Sequence, residues 1–244
     1  MLPDSYYIQQ AIEYVEESGS IDQMRLVQLE FGLIKALGFD GEQHAVSLYV
    51  VLMSQPELFV ELLCLLYKSK NGEAEAKTES NEWAASNAWN ILHACKRQPG
   101  TMEDGTITEE SVRAFIDKVR ELAKEKDRIE VCDIQLGEIM ARGGIGADEI
   151  FPSEHVRNVI ESIVSDEMFR GFRTGCFNKR GVTSRGVFDG GAQERELAAE
   201  YRANAKALEI THPKLSGTLE SLAKAYDRDG LVEDQEVRLR REGG

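Results

Sequence analysis

The order of residues predicts an all-α fold, an irregular multi-helix bundle or short helical-repeat-like array of about eleven helices. Three observations carry that expectation. Apolar residues recur at three- and four-residue intervals along almost the whole chain. A clean alternation of apolar and polar residues, the mark of a half-buried strand, is hard to find. Glycines, prolines and small polar residues, which start and stop helices, fall between the periodic segments. No sequence signature repeats at a fixed period, so nothing in the chain specifies a regular solenoid.

The elements follow in order. Ser20 is placed to cap a helix whose apolar positions include Ile21, Met24, Val27, Phe31 and Ile34, with Gly38 at its end. A second helix is expected from about Glu42 to Ser54. Pro56 opens a third, over 56–68, because its missing N–H has no partner in a first turn anyway. That helix is apolar nearly all round (Leu58, Phe59, Val60, Leu62, Leu63, Leu65, Leu66), which predicts a central position. Residues 69–80 are small, polar and charged and read as an exposed loop. Helix resumes over 81–97, with Trp83, Trp89, Ile91 and Leu92 as packing groups.

Residues 98–105 contain Pro-Gly and Asp-Gly and form a turn region. It divides an N-terminal helical lobe, 1–98, from a C-terminal lobe, 99–244. Thr106 with Glu109 makes a capping box for a helix reaching about Asp127, whose stripe is Val112, Phe115, Ile116, Val119 and Leu122. Another helix over 130–142 stops at Gly143 and Gly144. Ser153 caps the next, through Val164, and Ser165 caps the one that carries Phe169 and Phe172. After a glycine-rich segment come helices over 192–210 and 213–228, then a charged tail helix over 231–241 beyond Gly230.

Composition bounds the function. The 244 residues are enough to bury a real core, and 42% hydrophobic with 30% charged is ordinary for a folded chain. A formal charge of -14 repels phosphates over most of the surface, so binding to nucleic acid has to be local and is disfavoured. The first residues have neither a basic nor an apolar run, and the apolar stretches Ala45–Met53 and Leu58–Tyr67 fall short of the ~20 residues of a membrane helix. The expectation is a cytoplasmic protein without a membrane partner. Cys64, Cys95, Cys132 and Cys176 form no CxxC pair and read as structural thiols.

One segment departs from the acidic background. Arg170, Arg173, Lys179, Arg180 and Arg185 stand together with no acidic residue among them, and six glycines fall between Gly171 and Gly191. Arg173, Arg180, Arg185 and Arg195 can present forked donors to a carboxylate or phosphate. Asn178, Ser184 and Gln193 can add hydrogen bonds. Asp189 can order the turn that opens the next helix, whose N-terminus favours an anion. These residues make either a pocket for an anion or protein partner, or a loop pinned by arginines paired with the protein's own carboxylates.

Other chemistry finds less support. No GxxxxGK[ST] is present, and Gly144-Ile145-Gly146 lacks the strand and last glycine of a dinucleotide fingerprint. Asp227 to Glu236 matches the second half of a calcium loop, but its first position is Ala225, which supplies no carboxylate. The four histidines are scattered, and His93 and Cys95 point about 200° apart on a helix. No catalytic residue, metal or cofactor is expected. Phe59, Leu62, Leu66, Trp83 and Trp89 belong to the core or to a groove for a partner.

Two strings, QPELFVELLCLLYK (55–68) and GFRTGCFNKRGVTSRGVFDGGAQER (171–195), resemble segments near the C-termini of large, uncharacterised bacterial multidomain proteins, some of them in anti-phage or stress modules. The resemblance covers about a sixth of the chain. It implies a helical module of a longer assembly and carries over no catalytic residue. The expected function is a non-catalytic interaction or scaffold module that meets a protein partner, or other domains of its assembly, through 170–195. The rivals are nucleic-acid or nucleotide binding by the same island, and a hydrolase-type pocket of arginines and carboxylates.

Overall fold

Residues 5–37, 41–69, 79–181, 186 and 189–242 are described by a computed structural model of the chain, and every regular element among them is helical. Eleven helices of nine or more residues are joined by one four-residue helical segment. In order they are α1 (Ser5–Ser18), α2 (Gln23–Leu37), the short α3 (Gly41–His44), α4 (Val46–Ser54), α5 (Pro56–Leu66) and α6 (Glu79–Ala94). Then follow α7 (Glu109–Glu125), α8 (Ile129–Met140), α9 (Glu154–Ser162), α10 (Asp166–Lys179), α11 (Ala192–Leu208) and α12 (Pro213–Glu242). The all-α class is therefore as expected, though the membership differs. Helix α1 was not anticipated; Ile8, Ile12 and Val15 lie at helical spacing and pack on the core. At the other end, the two expected tail helices are one.

Helix ends differ in detail from the sequence expectations. The cap of α2 is Asp22, whose carboxylate accepts from Arg25 N–H at 3.0 Å, while Ser20 bonds to Ser18. Gly38, expected to end α2, lies outside the described residues. The expected 42–54 helix is interrupted at Ala45, which offers no side-chain cap to α4. The buried Glu30 of α2 supplies one instead, accepting from Leu48 N–H at 2.5 Å. At α7 the box is made by Thr108 and Ser111, because Thr106 is engaged with Asp104. Ser153 occupies the N-cap of α9 without a side-chain bond, and Ser165 caps α10 through Met168 N–H at 3.3 Å.

Helix α5 is central, packing on α4, α6, α7 and α8. Phe59, Val60, Leu62 and Leu63 are buried, but Leu65 is exposed, so one side of this apolar helix stays open. The apolar core runs without a break from Ile12 to Leu222. It passes beneath the 98–105 turn, where Gly100 N–H donates to Met53 C=O at 2.8 Å. On α6 the buried stripe is Ala88, Ile91, Leu92 and Cys95, one turn pattern away from the tryptophans. Trp83 and Trp89, expected inside, are about half exposed: Trp83 edges onto Phe31 and Trp89 stacks on His93.

Glycine sets the spacing of α8 and α10. A Cβ on Gly137 would collide with the Met168 carbonyl, one on Gly171 with Ile134 C=O, and one on Gly175 with Glu138 C=O. Gly171 and Gly175 are thus helical contact residues, and the glycine-rich segment begins inside α10. All four cysteines are free thiols, three of them buried. Among the described residues no single helix is long and apolar enough to cross a membrane. Helices α4 and α5 have the apolar length together but bend by 101° between them.

Candidate functional site

The segment singled out by its charge lies where α10, α11 and α12 meet. Helix α12 is anchored at its start by Glu161 of α9, whose carboxylate accepts from Lys214 and Leu215 N–H at 3.1 and 2.9 Å. It then runs antiparallel to α11 along a seam of small residues, Ala198, Ala205 and Ala223 among those buried. At the end of the seam Gly191 and Gly230 meet backbone to backbone, so that a Cβ on Gly191 would strike Gly230 C=O. Gly230 was expected to end a helix. It lies within one instead, and its missing side chain eases the close approach of α11 there. The calcium-loop likeness falls on this unbroken helix, and among the described residues no cluster of His, Cys, Asp and Glu is arranged to hold a metal.

Beneath the segment stands a stack of aromatic rings. Phe151 packs on Phe172 and Tyr201, Tyr201 stacks in parallel on Tyr226 at 5.8 Å, and Phe177 lies 5.1 Å from Tyr226. Cations close the stack at both ends. The Lys179 ammonium sits 4.6 Å over Phe151 and donates to Gly143 C=O, and Arg180 sits 5.6 Å over Tyr226. Burial in this apolar setting lowers the Lys179 pKa below the usual lysine range. It also pushes the Cys176 thiol up to about 12, leaving it protonated and inert.

The expected site residues divide into three groups. Arg180 and Arg195 are paired with the protein's own carboxylates, Arg180 inward and Arg195 at the surface. Arg180 pairs with Glu194, which is 1% exposed, and Arg195 pairs with Asp234 of α12 at 2.6 Å. Asp234 also accepts from Gly191 N–H at 2.9 Å, so the anion at the N-terminus of α11 is the protein's own carboxylate. That N–H, with Arg195 behind it, holds the Asp234 carboxyl below its ordinary range. Asp189 accepts from Gly186 N–H at 2.6 Å and closes the turn before α11.

A second group is open to solvent. Arg173 lies exposed along α10 with its guanidinium 5.9 Å from the Phe177 ring, and Asn178 is exposed in the last turn of α10. Gln193 is half-buried in the first turn of α11. Ser184 and Arg185 lie outside the described residues. What sequence reasoning missed is the part played by α12. Asp234 and Tyr226 are far along the chain, and nothing local marks them as partners of the basic segment.

Beyond Gly230, residues 231–242 continue as helix with no buried residue. Leu231 is 62% exposed, Val232 53% and Leu239 67%. Compared with family models, curated proteins and solved structures, the chain matches none.

Proposed function

We propose that the chain is a non-catalytic helical interaction module, and that it meets a protein partner at the end of the molecule where α10, α11 and α12 converge. The observation that carries this reading is the last three turns of α12. They hold helical form with Leu231, Val232 and Leu239 in solvent, although a helix of this length is marginal in water without a packed face. Exposed charges of both signs flank these apolar side chains, Arg228 and Arg238 with Asp229 and Glu236, which suits a partner that offers an apolar strip bordered by mixed charge. Arg180 is paired inward with Glu194 and Arg195 is neutralised at the surface by Asp234, which weakens both as phosphate contacts and supports protein over nucleic acid. The likeness of 55–68 and 171–195 to segments of bacterial multidomain proteins fits a module of a larger, defence-type assembly.

The test compares the wild-type chain with a Val232→Asp/Leu239→Asp double variant, both exposed positions whose replacement leaves the core intact. Each is used to capture partners from a bacterial lysate, with chemical cross-linking and nuclease treatment. The proposal expects a nuclease-resistant protein, cross-linked near α12, that the folded variant no longer retains. Equal capture by the variant, or a partner removed by nuclease, overturns it.

A further inference from the structure

A cavity of about 430 Å³ opens between α2, α4 and α6, away from the α10–α12 end. Its floor is apolar, made by Ile34 and the fully buried Tyr49. One wall is aromatic: Trp89 and His93, one helical turn apart on α6, stack with ring centroids 4.7 Å apart and planes 10° from parallel, which leaves the other face of each ring uncovered by the pair. Trp89 keeps 51% of its surface in solvent, so its ring is accessible from the cavity mouth. Lys35 of α2 also lines the cavity, and among the described lining residues there is no carboxylate. In a chain of formal charge -14, a cavity whose one ionised lining group is a cation selects by charge. Burial, reinforced by the nearby Arg142, lowers the His93 pKa, so the imidazole stays neutral and the Trp89–His93 wall presents faces rather than a second charge.

We infer that this cavity is a small-molecule site for a planar aromatic anion, its ring laid on Trp89 and its acid group facing the Lys35 ammonium. The volume lies within the range of ordinary ligand pockets and admits a bicyclic ring with a carboxylate or sulfonate. Asn90 also lines the cavity, its amide nitrogen donating to Ser86 C=O at 2.9 Å. The site is independent of the interaction surface on α12.

The probe is naphthalene-2-carboxylate, titrated by calorimetry and by ¹H–¹⁵N spectra, with naphthalen-2-ylmethanol and naphthalen-2-ylmethylammonium as neutral and cationic counterparts. Saturable binding of the carboxylate is expected with Kd on the order of 0.1–1 mM, the strength a ligand of this size reaches. Trp89→Ala should weaken it about tenfold or more and Trp89→Phe only a few-fold. Lys35→Gln should weaken the carboxylate about three- to tenfold and leave the neutral alcohol unchanged. In the wild-type spectra the Trp89 indole N–H should shift while that of Trp83 does not, a readout that needs no variant to fold. Absence of saturable binding, a shift at Trp83 instead of Trp89, or unchanged affinity in a folded Trp89→Ala overturns the site. Equal binding of the ammonium probe, or indifference to Lys35→Gln, overturns its assignment to anions.

Discussion

Glu30 is buried at the N-terminus of α4, where its carboxylate accepts from Leu48 N–H. Desolvation outweighs that bond, and with Glu16 nearby the carboxyl is raised to about 7. A raised folded pKa means that the folded state holds its proton more tightly than the unfolded chain. The associated stability is fully present below pH about 4.5 and is lost as pH rises through about 7. Urea denaturation at pH 5 and pH 8 should show a loss on the order of 2 kcal/mol from this group. Glu30→Gln keeps an acceptor for Leu48 N–H and should flatten that dependence; an unchanged pH slope in the variant would exclude Glu30 as its source. The two paired arginines, Arg180 and Arg195, should behave differently from each other. Arg180→Ala strands the buried Glu194 and should cost about 3–5 kcal/mol, whereas Arg195→Ala breaks a half-exposed pair and should cost under about 1 kcal/mol. Equal losses in thermal or urea melts would mean that burial does not set the strength of these pairs.

At the scale of the element, what matters is whether a glycine has a neighbour. Gly171 and Gly175 bring α10 against the backbone of α8, and Gly137 answers from the other side. Gly171→Ala forces a methyl into a carbonyl oxygen that cannot move without its helix, so a loss of about 3 kcal/mol or more is expected. Gly32, inside α2, has open space where its Cβ would be. Gly32→Ala should therefore stabilise the protein by about 0.5–1 kcal/mol, the helix propensity that glycine forfeits. Opposite signs for these two substitutions in urea melts are the expected outcome. Two destabilising results would mean that α2 needs its glycine for a contact the geometry does not contain. Both residues sit in helical sequence and carry the same letter; only the facing element distinguishes them.

For the molecule as a whole, the last buried apolar side chain among the described residues is Tyr226, and the seam of α11 with α12 closes at the Gly191–Gly230 contact. Residues 231–242 hold no buried side chain, and their contacts with the rest include the half-exposed Arg195–Asp234 pair and the Asp234–Gly191 bond. Truncation after Gly230 should accordingly lower stability by only about 1–2 kcal/mol and leave the helical circular dichroism otherwise intact. A cooperative collapse of the truncated chain would show that α12 holds the bundle together through its end. The same truncation should abolish partner capture, because it removes Leu231, Val232 and Leu239 together.

The all-α class, the position of most helices, the central place of α5 and the inertness of the buried thiols were legible from residue order. Each depends on periodicity or on a neighbour within one helical turn. Caps were legible only as neighbourhoods: Ser20 and Thr106 lost to Asp22 and Thr108 a residue or two away, where the backbone turned. The basic segment was visible as charge, but its partners were not, since Glu194 is fourteen residues from Arg180 and Asp234 thirty-nine from Arg195. Gly230 shows the limit most plainly. By itself a glycine before a charged run ends a helix, at a cost of about 1 kcal/mol if it does not. Tertiary structure decided otherwise: α12 continues past Gly230 against Gly191, where the two backbones meet with no room for a Cβ on Gly191.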